Sequence, residues 1–151
     1  MKIYSVFDIA NWFLSKESMT HKKLQKLCYY AQAWHYTLLD KPLFSERIEA
    51  WVHGPVIPAL YKKYSDYGWI DIPKYSGKLK DFNNKTLDIL QTVLNTYLEF
   101  DGDMLERITQ AENPWSEARK GLPPLSTCTN EITLDSIKTF YKQLYEEEQG
   151  E

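Results

Sequence analysis

The sequence predicts an all-α fold, a mainly helical single domain over residues 1–151 with about six helices and room for one short strand pair. Three observations point that way. Apolar residues recur at intervals of three and four through most of the longer windows. Helix-capping residues stand just before those windows, and prolines and glycines fall between them rather than inside. A chain of this length buries roughly 70% of the surface its unfolded form exposes, enough for a real core.

The elements follow in order. Ser5 and Asp8 have the spacing of a capping box, and Val6, Ile9, Ala10 and Phe13 then repeat on one helical face. Thr20 is the next N-cap. Behind it Leu24, Leu27, Cys28, Ala31, Trp34, His35 and Leu38 trace one buried stripe through about five turns, with Lys22, Lys26, Tyr29 and Ala33 assigned to the opposite, solvated face. Lys41-Pro42 interrupts the pattern. Residues 43–53 read equally as loop or as a short extended pair, because alternation there is weak.

From Val56 to Tyr67 the positions Ile57, Leu60, Tyr61 and Tyr64 restore a helix that Gly68 stops. Residues 69–82 hold Pro73 and Gly77 and read as a connection carrying apolar anchors. Asn84 to Phe100 gives Leu87, Leu90, Val93, Leu94, Tyr97 and Leu98, another amphipathic helix. Asp101-Gly102-Asp103 precedes a shorter one through Leu105 and Ile108, and Pro114 suits a first helical turn. After the Pro-rich connection 121–130, Thr133 caps a last helix with Ile137, Phe140, Leu144 and Tyr145. That helix is expected to fray into the acidic residues Glu146, Glu147, Glu148 and Glu151.

Composition narrows the functional classes. A formal charge of −3 supplies no general attraction to nucleic acid or anionic membranes. No apolar run approaches the roughly 18 to 20 residues of a membrane span, and the N-terminus lacks a signal-peptide pattern, so a cytoplasmic protein with no membrane partner is expected. Two cysteines a hundred positions apart are expected to be free thiols. Eleven Tyr and five Trp are a high aromatic load that the fold must bury or use.

Candidate chemistry fails on geometry. His21, Cys28 and His35 share one line of the second helix at spacings of seven, but seven residues advance a helix by about 10.5 Å. Metal ligands must all lie within about 2–2.3 Å of one ion, so this line holds no metal. Cys28 and His35 therefore read as a buried thiol and a satisfied core histidine. Glu46 with Glu49, and Asp101 with Asp103, read as solvated charge. The glycines form no phosphate loop, dinucleotide fingerprint or nucleophile elbow, so no enzyme and no cofactor is expected. Lys22, Lys23 and Lys26 followed by Tyr29 and Tyr30 could contact phosphates and bases, but the patch is small on an acidic domain and no nucleic-acid partner is expected without an added DNA-binding domain.

The stretch Ile48 to Tyr61 stands out. Gly54-Pro55 excludes helical angles at Gly54, and Pro58 is tolerated only in the first turn of the following helix, so the chain turns sharply and restarts. Trp51 and Tyr61 flank that corner and can be clamped on the same side, either as core anchors or as a rigid aromatic ridge for another protein.

Three motifs in series carry a family resemblance: Thr20-His-Lys-Lys-Leu-Gln-Lys-Leu-Cys-Tyr-Tyr-Ala-Gln-Ala-Trp34, Glu49-Ala-Trp-Val-His-Gly-Pro-Val-Ile-Pro-Ala-Leu-Tyr61 and Thr109-Gln-Ala-Glu-Asn-Pro-Trp115. Their order and spacing resemble the Panacea, or SocA-like, antitoxin domain, which includes phage-associated proteins of the GepA kind. The likeness runs from the first helix to about Arg119. It implies a mainly helical bacterial or prophage protein without catalysis. Such a protein acts as the antitoxin of a type II toxin–antitoxin pair and neutralises a protein toxin encoded nearby by direct binding. The alternative is an adaptor that delivers a bound client to a protease. The surface expected to bind the partner comprises Trp51, His53 and Tyr61 of the corner, Lys22, Lys26 and Tyr29 of the second helix, and Trp115. Gln110 stands where the family often has His, so no role tied to that imidazole carries over. No separate DNA-binding domain accompanies the motifs, so operon self-repression does not carry over either.

Overall fold

The computed structural model describes residues 3–150. Glu151 of the expected acidic tail lies outside them. Among the described residues there are seven α-helices and one two-stranded sheet: α1 (Val6–Lys16), α2 (His21–Leu39), β1 (Glu49–Trp51), β2 (Gly54–Val56), α3 (Pro58–Tyr64), α4 (Asn84–Tyr97), α5 (Gly102–Gln110), α6 (Asn113–Ala118) and α7 (Leu134–Gln149).

The local signals behave as their chemistry requires. Both arms of the Ser5–Asp8 capping box form, at 3.2 and 3.0 Å. Thr20, Asn83, Asp101 and Thr133 each accept the backbone N–H three residues on, within 2.8–3.2 Å. Pro58 and Pro114 sit in first turns. The third helix is shorter than its pattern, since Gly54–Val56 is strand and a 3₁₀ turn over Ser65–Tyr67 follows α3. Residues 43–53 are mostly irregular chain holding one short strand, Glu49–Trp51, whose partner Gly54–Val56 lies just beyond them, with Glu49 opposite Val56 and Trp51 opposite Gly54. The last helix does not fray at the glutamates but continues to Gln149.

α2 is the axis of the molecule: α1, α3, α4, α5, α7 and β2 all pack on it. The expectation of a solvated face on α2 is therefore wrong. Lys26 and Tyr29 are each 1% exposed and Ala33 is 0% exposed, whereas Leu38, expected inside, is 42% exposed. A helix surrounded on all sides has no outer face, so its polar residues must find partners inside. Gln25 uses both ends of its amide on one residue, donating to the Ile57 carbonyl at 3.1 Å and accepting from the Ile57 N–H at 2.8 Å. Gln32 donates to the Phe44 carbonyl at 2.6 Å and accepts from the Leu43 N–H at 2.7 Å. His35 bridges the Lys41 carbonyl and the Thr86 hydroxyl at 2.6 and 2.9 Å. It is a satisfied core histidine.

The connection 69–82 carries apolar anchors as expected at Ile72 and Phe82, which are buried, while Trp69 and Ile70 face outward. The Ile72 N–H donates to the Met19 carbonyl at 2.7 Å and pins this loop to the start of α2. The 121–130 connection is held differently. Buried Arg119 donates to the carbonyls of Ala50, Ser126 and Pro124 at 2.9, 2.7 and 3.2 Å, and its guanidinium lies 5.0 Å from the Trp115 ring.

Gln32→Leu, leaving the buried Leu43 N–H and Phe44 C=O unpaired, is expected to lower stability by about 2–5 kcal/mol, and Gln25→Leu, which orphans only the Ile57 N–H because the Ile57 carbonyl still accepts from Leu60 and Tyr61, by about 1–3 kcal/mol, read from urea unfolding midpoints. Costs below about 1 kcal/mol would show that these amides are not what holds the loops.

Candidate partner-binding groove

The hairpin corner, the N-terminal half of α2 and the loop 127–129 enclose a groove of about 530 Å³. Gly54 makes the corner possible. Its φ of 109° is a conformation side chains rarely adopt, and a Cβ there would stand 2.9 Å from Lys26 Cε and 3.1 Å from Thr109 Oγ1. The hairpin thus lies directly on the Lys26 side chain. From the other side the α5–α6 junction grips the turn: Gln110 donates to the Val52 carbonyl at 2.8 Å and the Trp115 indole to the Trp51 carbonyl at 2.7 Å. In this chain an amide at position 110 does that work.

The walls are aromatic. The Trp51 and Tyr61 rings meet edge to face with centroids 4.9 Å apart, and His21 packs on Tyr61 at 5.8 Å. Glu49 fixes the Trp51 indole through a 2.8 Å hydrogen bond. Trp69 stands at the mouth, 84% exposed. Gln25 and Lys26, with Val56 and Cys128, are the buried residues that line the groove.

A charged network borders the groove. Lys22 pairs with Asp103 at 2.7 Å and with Glu106, and His53 meets Glu106 at 3.1 Å. Burial alone would push the Glu106 carboxyl up, but hydrogen bonds from Lys22 and His53 outweigh it and hold the group below its usual value. Lys22 loses some basicity to burial, and the two carboxylates more than restore it. Lys26 has no such compensation. Its ammonium donates to the Pro55 carbonyl at 3.2 Å. Burial first, then repulsion from Lys22, push it down to about 7, against a weaker pull from Glu106. His21 is lowered as well, by burial and then by Lys26 and Lys22, and its buried Nδ1 has no hydrogen-bond partner among the described residues.

Of the seven residues singled out in the sequence, Lys22, Lys26, Trp51, His53 and Tyr61 line this one groove. Tyr29 does not. It is buried across α2 in a tyrosine cluster, its hydroxyl 3.1 Å from that of Tyr141, so its place on a binding face is withdrawn. Trp115 supports the corner from behind through its indole N–H. Sequence reasoning missed Trp69, Gln25 and Glu106 as parts of this site. The nucleic-acid patch also dissolves, since Lys23 is buried against Glu17 and the Leu98 carbonyl and both tyrosines lie inside. Cys28 is buried and held as a thiol, its titration pushed far up by burial, and Cys128 is a second free thiol. No helix among the described residues is long and apolar enough to cross a membrane.

Neither the curated proteins nor the solved structures return a match to this chain. A family model described as antitoxin SocA-like, Panacea domain, does match, over residues 24–116. That span begins in α2, contains the whole hairpin corner and ends one residue past Trp115, which braces it, so the elements that build the groove are largely the elements by which the chain belongs to the SocA-like antitoxin family of Panacea domains.

Proposed function

We propose that this protein is the antitoxin of a type II pair and that the groove at the hairpin corner grips its toxin directly, without catalysis. One observation carries the reading. Three segments far apart in sequence converge to hold Trp51 and Tyr61 rigidly in the walls of an apolar groove, with the exposed ring of Trp69 at its mouth. Aromatic rings held this way give large contact area at small entropic loss, the usual make-up of binding hot spots. The antitoxin-like family supports a toxin as the partner, and we take it to be a protein encoded nearby.

Co-expression with the adjacent gene tests the pairing: the neighbour is toxic alone and harmless with this protein present. Trp69→Ala tests the groove. The ring is so exposed that folding stability is expected to change by less than about 0.5 kcal/mol, while affinity for the toxin falls about 10- to 100-fold, as isothermal titration would show. Unchanged affinity would remove the groove from the interface.

Lys26 separates binding from folding. The unfolded chain holds this proton up to pH near 10.5, whereas the folded protein releases it at about 7. Between those values the unfolded state binds more protons, so this lysine's contribution to stability rises with pH, and below 7 its full penalty remains. Lys26→Met is expected to stabilise the fold by about 1–3 kcal/mol at pH 6, with the gain shrinking toward pH 10, while weakening the toxin complex. Equal destabilisation at both pH values would make Lys26 a purely structural residue through its Pro55 bond.

A further inference from the structure

A second groove, of about 410 Å³, opens between α4 and α7 over the C-terminal half of α2. Along α2 its residues Trp34 and Leu38 lie twelve positions beyond Lys22 and Lys26, about 18 Å down the axis, so the two grooves are separate. Its character is the reverse of the first. Trp34, Tyr97 and Tyr145 line it, together with the carboxylates of Asp88, Glu112 and Glu148, and no Lys, Arg or His is among its described lining residues.

Glu112 is the informative member. Its Oε1 accepts both the Tyr30 and the Tyr141 hydroxyls, each at 2.8 Å, and its Oε2 accepts no hydrogen bond from the described residues. The two tyrosines fix the carboxyl group in place, so it cannot swing out to water without losing both bonds. Tyr97 is fixed as well, stacked on Tyr30 at 4.1 Å and 14°, and the Trp34 ring is wedged 5.2 Å from Tyr141 and 6.5 Å from Tyr145. Burial pushes Glu112 up, against the two hydroxyls. An immobilised carboxylate beside rigid aromatic faces, with no cation of its own, is half of a charge pair.

We propose that this groove receives an arginine side chain presented by a partner polypeptide. A guanidinium is flat, so it can lie on Trp34 or Tyr97 and still direct paired N–H groups at the Glu112 carboxylate, which the compact, strongly hydrated ammonium of lysine does less well. The methylene stem would cover Ile89, Val93 and Leu144. Leu38 and Tyr145 remain 42% and 39% exposed at the groove, and residues flanking the arginine would cover them. A free organic cation would leave that apolar rim wet, which is why a polypeptide source is favoured.

The test uses the full chain, ¹⁵N-labelled, titrated with the blocked peptide acetyl-Gly-Leu-Arg-Leu-Gly-amide and with counterparts carrying lysine or citrulline in place of arginine. The arginine peptide is expected to shift the Trp34 indole and the amides of Val93, Tyr97 and Leu144 saturably, with the citrulline peptide at least about tenfold weaker and lysine between them. Glu112→Gln keeps an acceptor for both tyrosines, so it should fold normally while weakening the arginine peptide about tenfold. Tyr145→Ala at the exposed rim should weaken it several-fold. Equal binding of citrulline, unchanged affinity in Glu112→Gln, shifts that map elsewhere, or no shifts at all would each overturn the assignment. Tetramethylammonium binding more tightly than the arginine peptide would overturn the polypeptide source.

Discussion

A helix largely enclosed by other elements can still carry polar residues where they find fixed partners, and α2 shows what that constraint yields, with only His21 Nδ1 and Thr37 Oγ1 left unpaired among its described buried side-chain polar atoms. Its own backbone is satisfied by the helix, so Gln25 and Gln32 spend their hydrogen bonds on chain outside the regular elements, and His35 divides its two between the Lys41 carbonyl and Thr86 of α4. Those bonds form in a low-dielectric interior where an unmade one is costly. The loops at 41–44 and the entry to α3 are thereby placed as firmly as regular elements. Most of what surrounds α2 takes its position from these few side chains together with apolar packing.

The hairpin corner inherits that rigidity. Pro55 and Pro58 restrict the backbone, Gly54 lets it pass over Lys26, and Gln110, Trp115 and Arg119 hold the carbonyls of Val52, Trp51 and Ala50 from the opposite side. A surface so fixed before binding loses little freedom when it binds. Lys26 is the exception within it, a buried ammonium bonded to a neutral carbonyl. Groups that cost stability in this way collect at sites used for recognition or chemistry more often than in plain cores.

The local chemistry was legible because its causes lie within a few residues. A capping side chain standing just before an apolar-periodic run marks a helix start, and the caps at Ser5, Thr20, Asp101 and Thr133 show it. The surroundings of α2 were not legible. Periodicity separates an apolar from a polar side only when one side meets water; here Lys26 looked solvated because its partner Pro55 sits 29 positions away. The corner could be found from Trp51, Gly54 and Pro55 alone. Trp69 could not, since it lies in an aperiodic loop, and Glu106 and Glu112 carry no local mark of the residues they meet.

Charge along α2 runs against its own dipole. The first turn holds Lys22 and Lys23 with no acid, and the last turn has no base, although a helix favours the opposite order. Other elements supply the correction at the N-terminal end: α5 brings Asp103 and Glu106 to Lys22, and Glu17 reaches Lys23. That correction stops short of Lys26, one turn further in, where the carboxylate of Glu106 acts only at a distance. At the other end Lys138 of α7 pairs with the C-cap Asp40, but Asp88 of α4, Glu148 of α7 and Glu112 add further acid near a helix terminus that is already negative. The net charge of −3 hides this arrangement, because the two imbalances have opposite sign and sit at opposite ends of one rigid rod. A protein surface keeps such uncompensated charges in fixed positions at a cost to its own stability, and complementary charge on a partner is what would recover that cost.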